Sequence, residues 1–371
     1  MWIWDSNDLV NNVGNAREDL YSFCRSPHSN PDHKISVLFL YCRDALFNYQ
    51  SNLHEFLADA YNNGFWVEYL DGDPSWATYN QQIGIERINK VIEFNNQATS
   101  ETEKIKGIQF DVEPYLLKST SLYNPPYYDT NMDSVWNLYV TYMDSCQKIV
   151  DTADTSLYFG IAIPRWYENH VGNSELYRLQ SVVDYIAIMD YNEYATVIIN
   201  DAANEINNAT SLNKVVWIGV ETKNVSPETV SFYEEGVSYM ESQLEYVIEV
   251  YHNNDVFWGI AIHAYAYYPT LVSPSVIKYP NNPNYNINLF QNYENPVRNS
   301  TTIRYNLPTA MRVEINIYNV LGQNISTLVD EIKPQGTSSV NWDARTFQPG
   351  IYFYQIKTSA FTDTKKLLLI R

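Results

Sequence analysis

The sequence predicts an α/β fold, a (β/α)8 barrel followed by a small all-β antiparallel sandwich, and three observations lead to it. Eight apolar, β-rich runs recur through the first part of the 371 residues, each followed by a loop and a longer helix-like stretch. Eight such units suit a closed barrel, whose usual size is about 250 residues. The C-terminal stretch instead holds only short alternating strands with closely spaced turn signals, the pattern of a small sandwich. No strand is followed by the Gly-rich phosphate turn that a doubly wound sheet would carry. Acids, amides and aromatics gather at the C-terminal ends of the strands, where barrels keep their active sites.

In order, the runs are MWIWDS (1–6), ISVLFLYC (35–42), FWVEYLDGD (65–73), IKGIQFDVEP (105–114), SLYFGIAIP (156–164), VDYIAIMDY (183–191), KVVWIGVET (214–222) and FWGIAIHAY (257–265). Between them lie amphipathic segments such as LHEFLADAYNNG, which Asn63-Gly64 stops, and GVSYMESQLEYVIEVYHNN, with apolar residues at helical spacing. Strands alternating with helices imply parallel pairing and right-handed crossovers. The barrel is expected over 1–268. Residues 269–286 turn rich in Pro and Asn and read as a linker. From 287 to 371 come TTIRYNLP, RVEINIYNV, SSVNWDA, GIYFYQIKT and KKLLLIR, with turns at Leu321-Gly322 and Pro349-Gly350.

The net charge of -19 argues against nucleic acid or an anionic membrane as partner, since either would be met by a basic patch. From Ile287 onward there are nine Lys+Arg against six Asp+Glu, so that end is +3 and the rest is -22, as for two bodies of different origin. Aromatic residues make up 15%, with 32 Tyr and 9 Trp. That excess suits either a cleft that stacks sugars or tyrosines that simply fill core and surface. Cys24, Cys42 and Cys146 show no metal-ligand spacing. Cys24 and Cys42 could approach each other, or all three could be buried free thiols. No apolar run reaches the length of a membrane span. Asp71, Asp73 and Asp111 could gather a hard cation, but DGDPSW lacks the ligand spacing of a calcium loop, so neither metal nor cofactor is expected.

KGIQFDVEPY (106–115) carries the sharpest chemistry. Alternation puts Gln109, Asp111 and Glu113 on one face of the strand and Ile108, Phe110 and Val112 on the other. Glycosidic cleavage needs a carboxylic acid still protonated near neutral pH. A second carboxylate about 5–7 Å away raises its pKa by repulsion, and burial among aromatics raises it further. Glu113 is then the acid and Asp111 its tuner. The alternative is a hydrogen-bonded brace, with Lys106 as a partner.

Glu221 falls at the mouth of the seventh strand. Retaining barrel glycosidases place an acid/base Glu after strand four and a nucleophilic Glu after strand seven, with carboxyls about 5–5.5 Å apart. Those enzymes generally carry Asn before the acid/base, where this chain has Val112. An ion pair with Lys223 or Arg165 is the structural alternative for Glu221. Further mouth candidates are Trp2, Trp4 and Asp5 on strand one, Glu68 and Asp71 on strand three, Arg165 and Trp166 after strand five, and His263 and Tyr265 on strand eight. Loop residues Trp76 and Trp166 are candidate sugar platforms.

At two strand ends the barrel resembles glycoside hydrolase family 18. That family's fourth strand reads Asp-Gly-x-Asp-x-Asp-x-Glu, where this chain has Lys106-Gly107-Ile108-Gln109-Phe110-Asp111-Val112-Glu113. Its sixth strand ends Met-x-Tyr-Asp, where this chain has Met189-Asp190-Tyr191-Asn192. The resemblance implies a polysaccharide substrate whose own N-acetyl oxygen is the nucleophile, with Asp111 steadying that group and Tyr191 hydrogen-bonding to it. Lys106, Gln109 and Asn192 replace expected acids, which also admits a carbohydrate-binding or adhesin protein without catalysis.

The tail carries LFQNYENPVRNSTTIRYNLP, INIYNVLGQNISTLV, PGIYFYQIKT and KKLLLIR in order, and so resembles the C-terminal sorting domain of type IX secretion cargo. Glu294 and Val297 stand where that family usually has a second proline and an aromatic. The resemblance implies delivery by the type IX machinery to the surface of a Bacteroidetes-like bacterium, with the tail cleaved on export. Such cargo begins with a signal peptide, whereas MWIWDS reads as a strand, so the natural start is expected upstream of Met1.

Overall fold

The computed structural model describes residues 1–153, 156–271, 287–292, 294–307, 310–334, 336–358 and 361–370. Eight parallel strands form one sheet in sequence order: β1 (Trp2–Ile3), β2 (Val37–Leu40), β3 (Trp66–Asp71), β4 (Gly107–Phe110), β5 (Tyr158–Pro164), β6 (Tyr185–Met189), β7 (Val215–Glu221) and β8 (Phe257–His263). The sheet closes on itself, since just past β8 the Tyr265 N–H donates to the Trp2 carbonyl at 2.9 Å. The intervening helices include α1 (Ala16–Arg25), α2 (Gln50–Asn62), α3 (Gln81–Gln97), α4 (Tyr128–Ala153), α5 (Asn173–Ser181), α6 (Ala203–Leu212) and α7 (Val237–Tyr251). The fold is a (β/α)8 barrel followed by antiparallel all-β sheets, as the strand and helix periodicities predict.

The chain divides into two compact units: Met1–Tyr191 with Asp201–Val225 and His252–Leu271, and Asn192–Asn200 with Ser226–Tyr251 and Val272–Arg371. Of the expected linker, Tyr268–Thr270 includes a short 3-10 turn and Leu271 is buried. Residues 272–286 lie outside the described residues.

Inside the barrel, large and small side chains are matched across neighbouring strands. Trp2, Phe39, Leu70, Tyr185, Ala187 and Ala261 form one apolar cluster. Tyr185 fits because its neighbour Gly160 has no side chain: a Cβ there would lie 2.1 Å from the phenol ring. A polar chain runs through the same interior. Trp2 Nε1 donates to Gln109 Oε1, Gln109 Nε2 donates to Tyr185 Oη at 3.4 Å, and Tyr185 donates to Glu68 Oε2. Trp66 Nε1 donates to Glu68 Oε1 at 3.1 Å. Buried polar groups tolerate such a place only when partnered, and these are partnered by one another.

In the second unit, β10 (Ser300–Leu307), β11 (Met311–Tyr318), β12 (Asn324–Lys333), β13 (Gly336–Asp343), β14 (Gly350–Lys357) and β15 (Thr362–Leu369) pair antiparallel, with β9 (Asn288–Leu289) at one edge. The sheets have strand orders β13-β10-β9 and β12-β11-β14-β15. Alternate residues of these strands, including Ile303, Tyr305, Ile315, Ile317, Tyr354, Ile356 and Leu367, make one core. This is the period-2 burial that the tail's alternation requires.

Candidate active site

The site begins where β4 ends. The strand stops at Phe110, and the Asp111 N–H donates to the Asp71 carbonyl at 2.9 Å, carrying the β3–β4 alignment one residue further. Gly72 permits this approach, since a Cβ there would sit 2.0 Å from the Asp111 carbonyl oxygen. Asp111 therefore continues the inward-facing series of Gly107 and Gln109. Its Oδ1 is enclosed without a hydrogen-bond partner among the described residues. Burial, then the charge of Glu113, pushes the Asp111 carboxyl up to about 7. Glu113 opens the short turn Pro114–Leu116. Burial raises its pKa too, while a hydrogen bond from the Tyr115 hydroxyl opposes that rise. Two carboxyls raised this way, each disfavouring ionisation of the other, let the pair hold a proton above the usual carboxylate range.

Glu221 ends β7 and is buried. Its Oε1 accepts from the backbone N–H groups of Thr222 and Lys223, each at 2.8 Å. Its Oε2 lies 2.9 Å from His263 Nδ1, at the end of β8. On the far side of the imidazole, Trp4 Nε1 donates to His263 Nε2 at 3.0 Å. Because Nε2 accepts, the ring proton is on Nδ1 and points at Glu221. Three N–H donors thus orient this carboxyl. The alternative partners are engaged elsewhere: Lys223 Nζ sits 5.4 Å from the Tyr267 ring centroid, and Arg165 pairs with Asp201.

Tyr191 joins the two halves. Its ring lies 5.7 Å from His263, and its hydroxyl pKa is driven well above the usual value by burial and by the charges of Asp111, Glu221 and Glu113. Asp111, Glu113, Glu221, His263, Trp4 and Tyr191 therefore share one barrel mouth. Trp166 stands beside them, 4.8 Å from the Tyr115 ring and half-buried. Asp5, exposed, accepts from the Asn7 N–H at 3.3 Å. Met189 is buried at the end of β6, in register with Pro164 and Gly219.

Other expected residues are placed away from this cluster. Gln109 and Glu68 lie in the barrel interior, in the polar chain described above. Lys106 reaches Glu101, with Nζ 5.5 Å from the Tyr61 ring centroid. Asp71 accepts from Tyr69 Oη at 2.6 Å and from the Gly72 N–H, and lies 3.4 Å from Arg87 of α3. Asp73 caps the turn Pro74–Ala77 through the Ser75 N–H. Trp76 is buried against Phe110, with ring centroids 5.2 Å apart. The Tyr265 ring sits near Phe23 of α1 at 6.3 Å. Asp190, one residue before Tyr191, is fully buried, and its pKa is raised well above the usual value by burial and the charge of Asp201. Asn192 belongs to the second unit, where its Oδ1 accepts from the Tyr194 N–H. The sequence reading missed Tyr115, whose signal was its place two residues beyond Glu113 in the same turn. The three cysteines are free and buried. Among the described residues no group of three or more His, Cys, Asp or Glu is placed to hold a metal ion, and no helix is long and apolar enough to cross a membrane.

Residues 291–370 match the secretion system C-terminal sorting domain. This end of the chain is a sorting domain. No curated protein matches the sequence. Among solved structures, the chain is similar to an endo-beta-1,4-mannanase from Thermotoga petrophila, with 11% identity, 100% of this chain and 96% of that chain covered, and a TM-score of 0.44. It is also similar to a Bacteroides uniformis beta-glucuronidase, with 12% identity, 96% and 43% covered, and a TM-score of 0.45. A third is the catalytic core of xylanase A, with 13% identity, 68% and 81% covered, and a TM-score of 0.43.

Proposed function

We propose that the barrel is a glycoside hydrolase that cleaves a polysaccharide, with Glu113 as general acid/base and Glu221 as nucleophile. The observation that carries this reading is the contrast between carboxyls at one mouth: Asp111 and Glu113 are raised by burial, while Glu221 is gripped by three N–H donors. Pairs of acids in opposite surroundings suit a proton donor facing a nucleophile. Glu113 gives its proton to the departing glycosidic oxygen as Glu221 attacks the anomeric carbon. Glu113 then takes a proton from the water that releases the sugar from Glu221. Asp111, beside Glu113, helps keep that proton available.

A second route, in which an N-acetyl group of the substrate is the nucleophile, is favoured by the enclosed Asp111 Oδ1 and by the closeness of Tyr191 to Asp111. It keeps Glu113 as acid and leaves Glu221 without a bond to make. The binding-only alternative loses two of its supports, because Gln109 and Lys106 lie away from the mouth and their replacing acids removes no acid from it. The domain division at 268 and 287, and delivery to the cell surface through the type IX machinery with loss of the tail, belong to the same proposal.

The test is release of reducing ends from a panel of neutral and N-acetylated polysaccharides. Glu113→Gln is expected to lower turnover by about 10²–10⁴-fold with an unchanged melting temperature. Equal turnover in the variant would remove Glu113 from the reaction. Glu221→Gln separates the routes, since only the covalent one loses turnover to a comparable degree. Glycan binding with no product from the parent chain would leave a binding protein.

A further inference from the structure

We propose that the hollow lined by Trp4 and Tyr41 is a second sugar subsite, which holds a neutral pyranose near the ring being cleaved and makes the enzyme act on chains. The inference rests on the reading of the mouth as a glycosidase site. Trp4 follows β1 and Tyr41 follows β2, and their rings lie 6.1 Å apart with a 39° tilt. Trp4 is 37% exposed, although it neighbours the almost fully buried Trp2. The hollow encloses about 140 Å³, roughly ten times what one ordered water needs, and Asp5, Asn7, Arg43 and Asp44 line it with the two aromatics.

Its position follows from hydrogen bonds already described. The Trp4 indole N–H donates to His263, which bonds Glu221, so the hollow is linked to the proposed nucleophile through Trp4 and His263. Its chemistry follows from the lining. An exposed indole offers an apolar face to the C–H side of a pyranose. Asp5 and Asp44 accept from hydroxyls, while Asn7 and Arg43 donate to them, so the lining matches groups that both donate and accept. Arg43 is steadied with its guanidinium carbon 5.4 Å from the Tyr41 ring centroid. Two carboxylates against one guanidinium, within residues 1–286 of net charge -22, repel a uronic acid.

The experiment measures binding apart from turnover. The full chain carrying Glu113→Gln is titrated by calorimetry with cellohexaose, mannohexaose and xylohexaose, with the corresponding disaccharides, and with hexagalacturonate. At least one neutral hexaose is expected to bind at least tenfold tighter than its disaccharide, and hexagalacturonate to bind more weakly. Adding Trp4→Ala or Tyr41→Ala is expected to erase the hexaose advantage, with far-UV circular dichroism unchanged. Adding Trp4→Phe, which keeps a ring but removes the N–H to His263, is expected to retain most of it. No binding of any neutral hexaose, an advantage that survives both alanine variants, or tighter binding of hexagalacturonate would each overturn the subsite. Failure of the glycosidase reading is a different result: the parent releases no product, yet the hexaose advantage still depends on Trp4 and Tyr41.

Discussion

Asp190 shows how strongly one residue's surroundings set its chemistry. It is fully buried, neither carboxyl oxygen has a hydrogen-bond partner among the described residues, and burial raises its pKa well above the carboxylate range. A buried acid in that state is most cheaply held neutral. The unfolded chain releases this proton near pH 4, whereas the folded chain keeps it. Over that interval the folded state binds more protons, so this residue's contribution to stability falls as pH rises. Asp190→Asn, nearly isosteric with the protonated acid, is therefore expected to cost no more than about 1 kcal/mol at pH 7 and to flatten the alkaline decline. Urea melts of both proteins at pH 5 and pH 9 check this, and an unchanged pH slope would count against it. His263 presents the opposite case, a polar group with both nitrogens engaged. His263→Ala removes one donor from Glu221 and the acceptor of Trp4, and is expected to lower kcat by roughly 10²-fold. An effect on KM alone, in steady-state kinetics, would argue for a purely structural histidine.

At the scale of elements, the site depends on how closely β3 and β4 approach at their C-terminal ends. Gly72 makes this possible, and nothing about an Asp-Gly pair in a loop announced it, because the distance belongs to two strands far apart in sequence. Gly72→Ala must push the Asp111 backbone away. It is expected to cost more than about 1 kcal/mol of stability and to lower turnover as well. Thermal unfolding together with kcat checks the coupling, and a variant with full activity would show that β4 does not need this contact. The same alternation that sends Asp111 inward sends Phe110 onto Trp76 and Phe159 in the outer layer. Trp76 was legible as a tryptophan beside acids. Only packing shows that it fills the gap between strand and helix.

Across the whole molecule, two further buried acids set a common pH trend. Burial lifts Glu68 to about 7, even with Tyr185 and Trp66 donating to it, and lifts Glu205 to about 8. Both values lie above those of the unfolded chain, so stability from these groups is greatest in mild acid and declines as pH rises toward 7–8, then levels once both are ionised. A melting temperature higher at pH 5 than at pH 9 is the expected result of scanning calorimetry. Turnover should decline over a similar range, as the Asp111–Glu113 pair, with Asp111 raised to about 7, ionises fully. The tail makes a separate prediction. Residues 287–371 fused to a reporter that carries a signal peptide should bring it to the surface of a bacterium with type IX secretion, and leave it in the periplasm of a mutant lacking that system. Fractionation with an antibody to the reporter measures this.

The sequence by itself determined the barrel, the sandwich and the sorting tail, because hydrophobic periodicity and short ordered motifs are local and survive without coordinates. It also put Asp111, Glu113, Tyr191 and Glu221 at strand ends, and alternation along the fourth strand turned Asp111 inward; the strand stops at Phe110, so the turn that follows, not alternation, sets Glu113. The tertiary structure alone decided which strand-end residues meet. Closing the sheet brings Trp4, His263 and Glu221 into one hydrogen-bonded line across β1, β7 and β8, although they are separated by up to 259 residues. It also puts Gln109 and Glu68 out of reach, since both point inward but one or more layers below the mouth. Direction is a property of the strand, whereas depth is a property of the barrel.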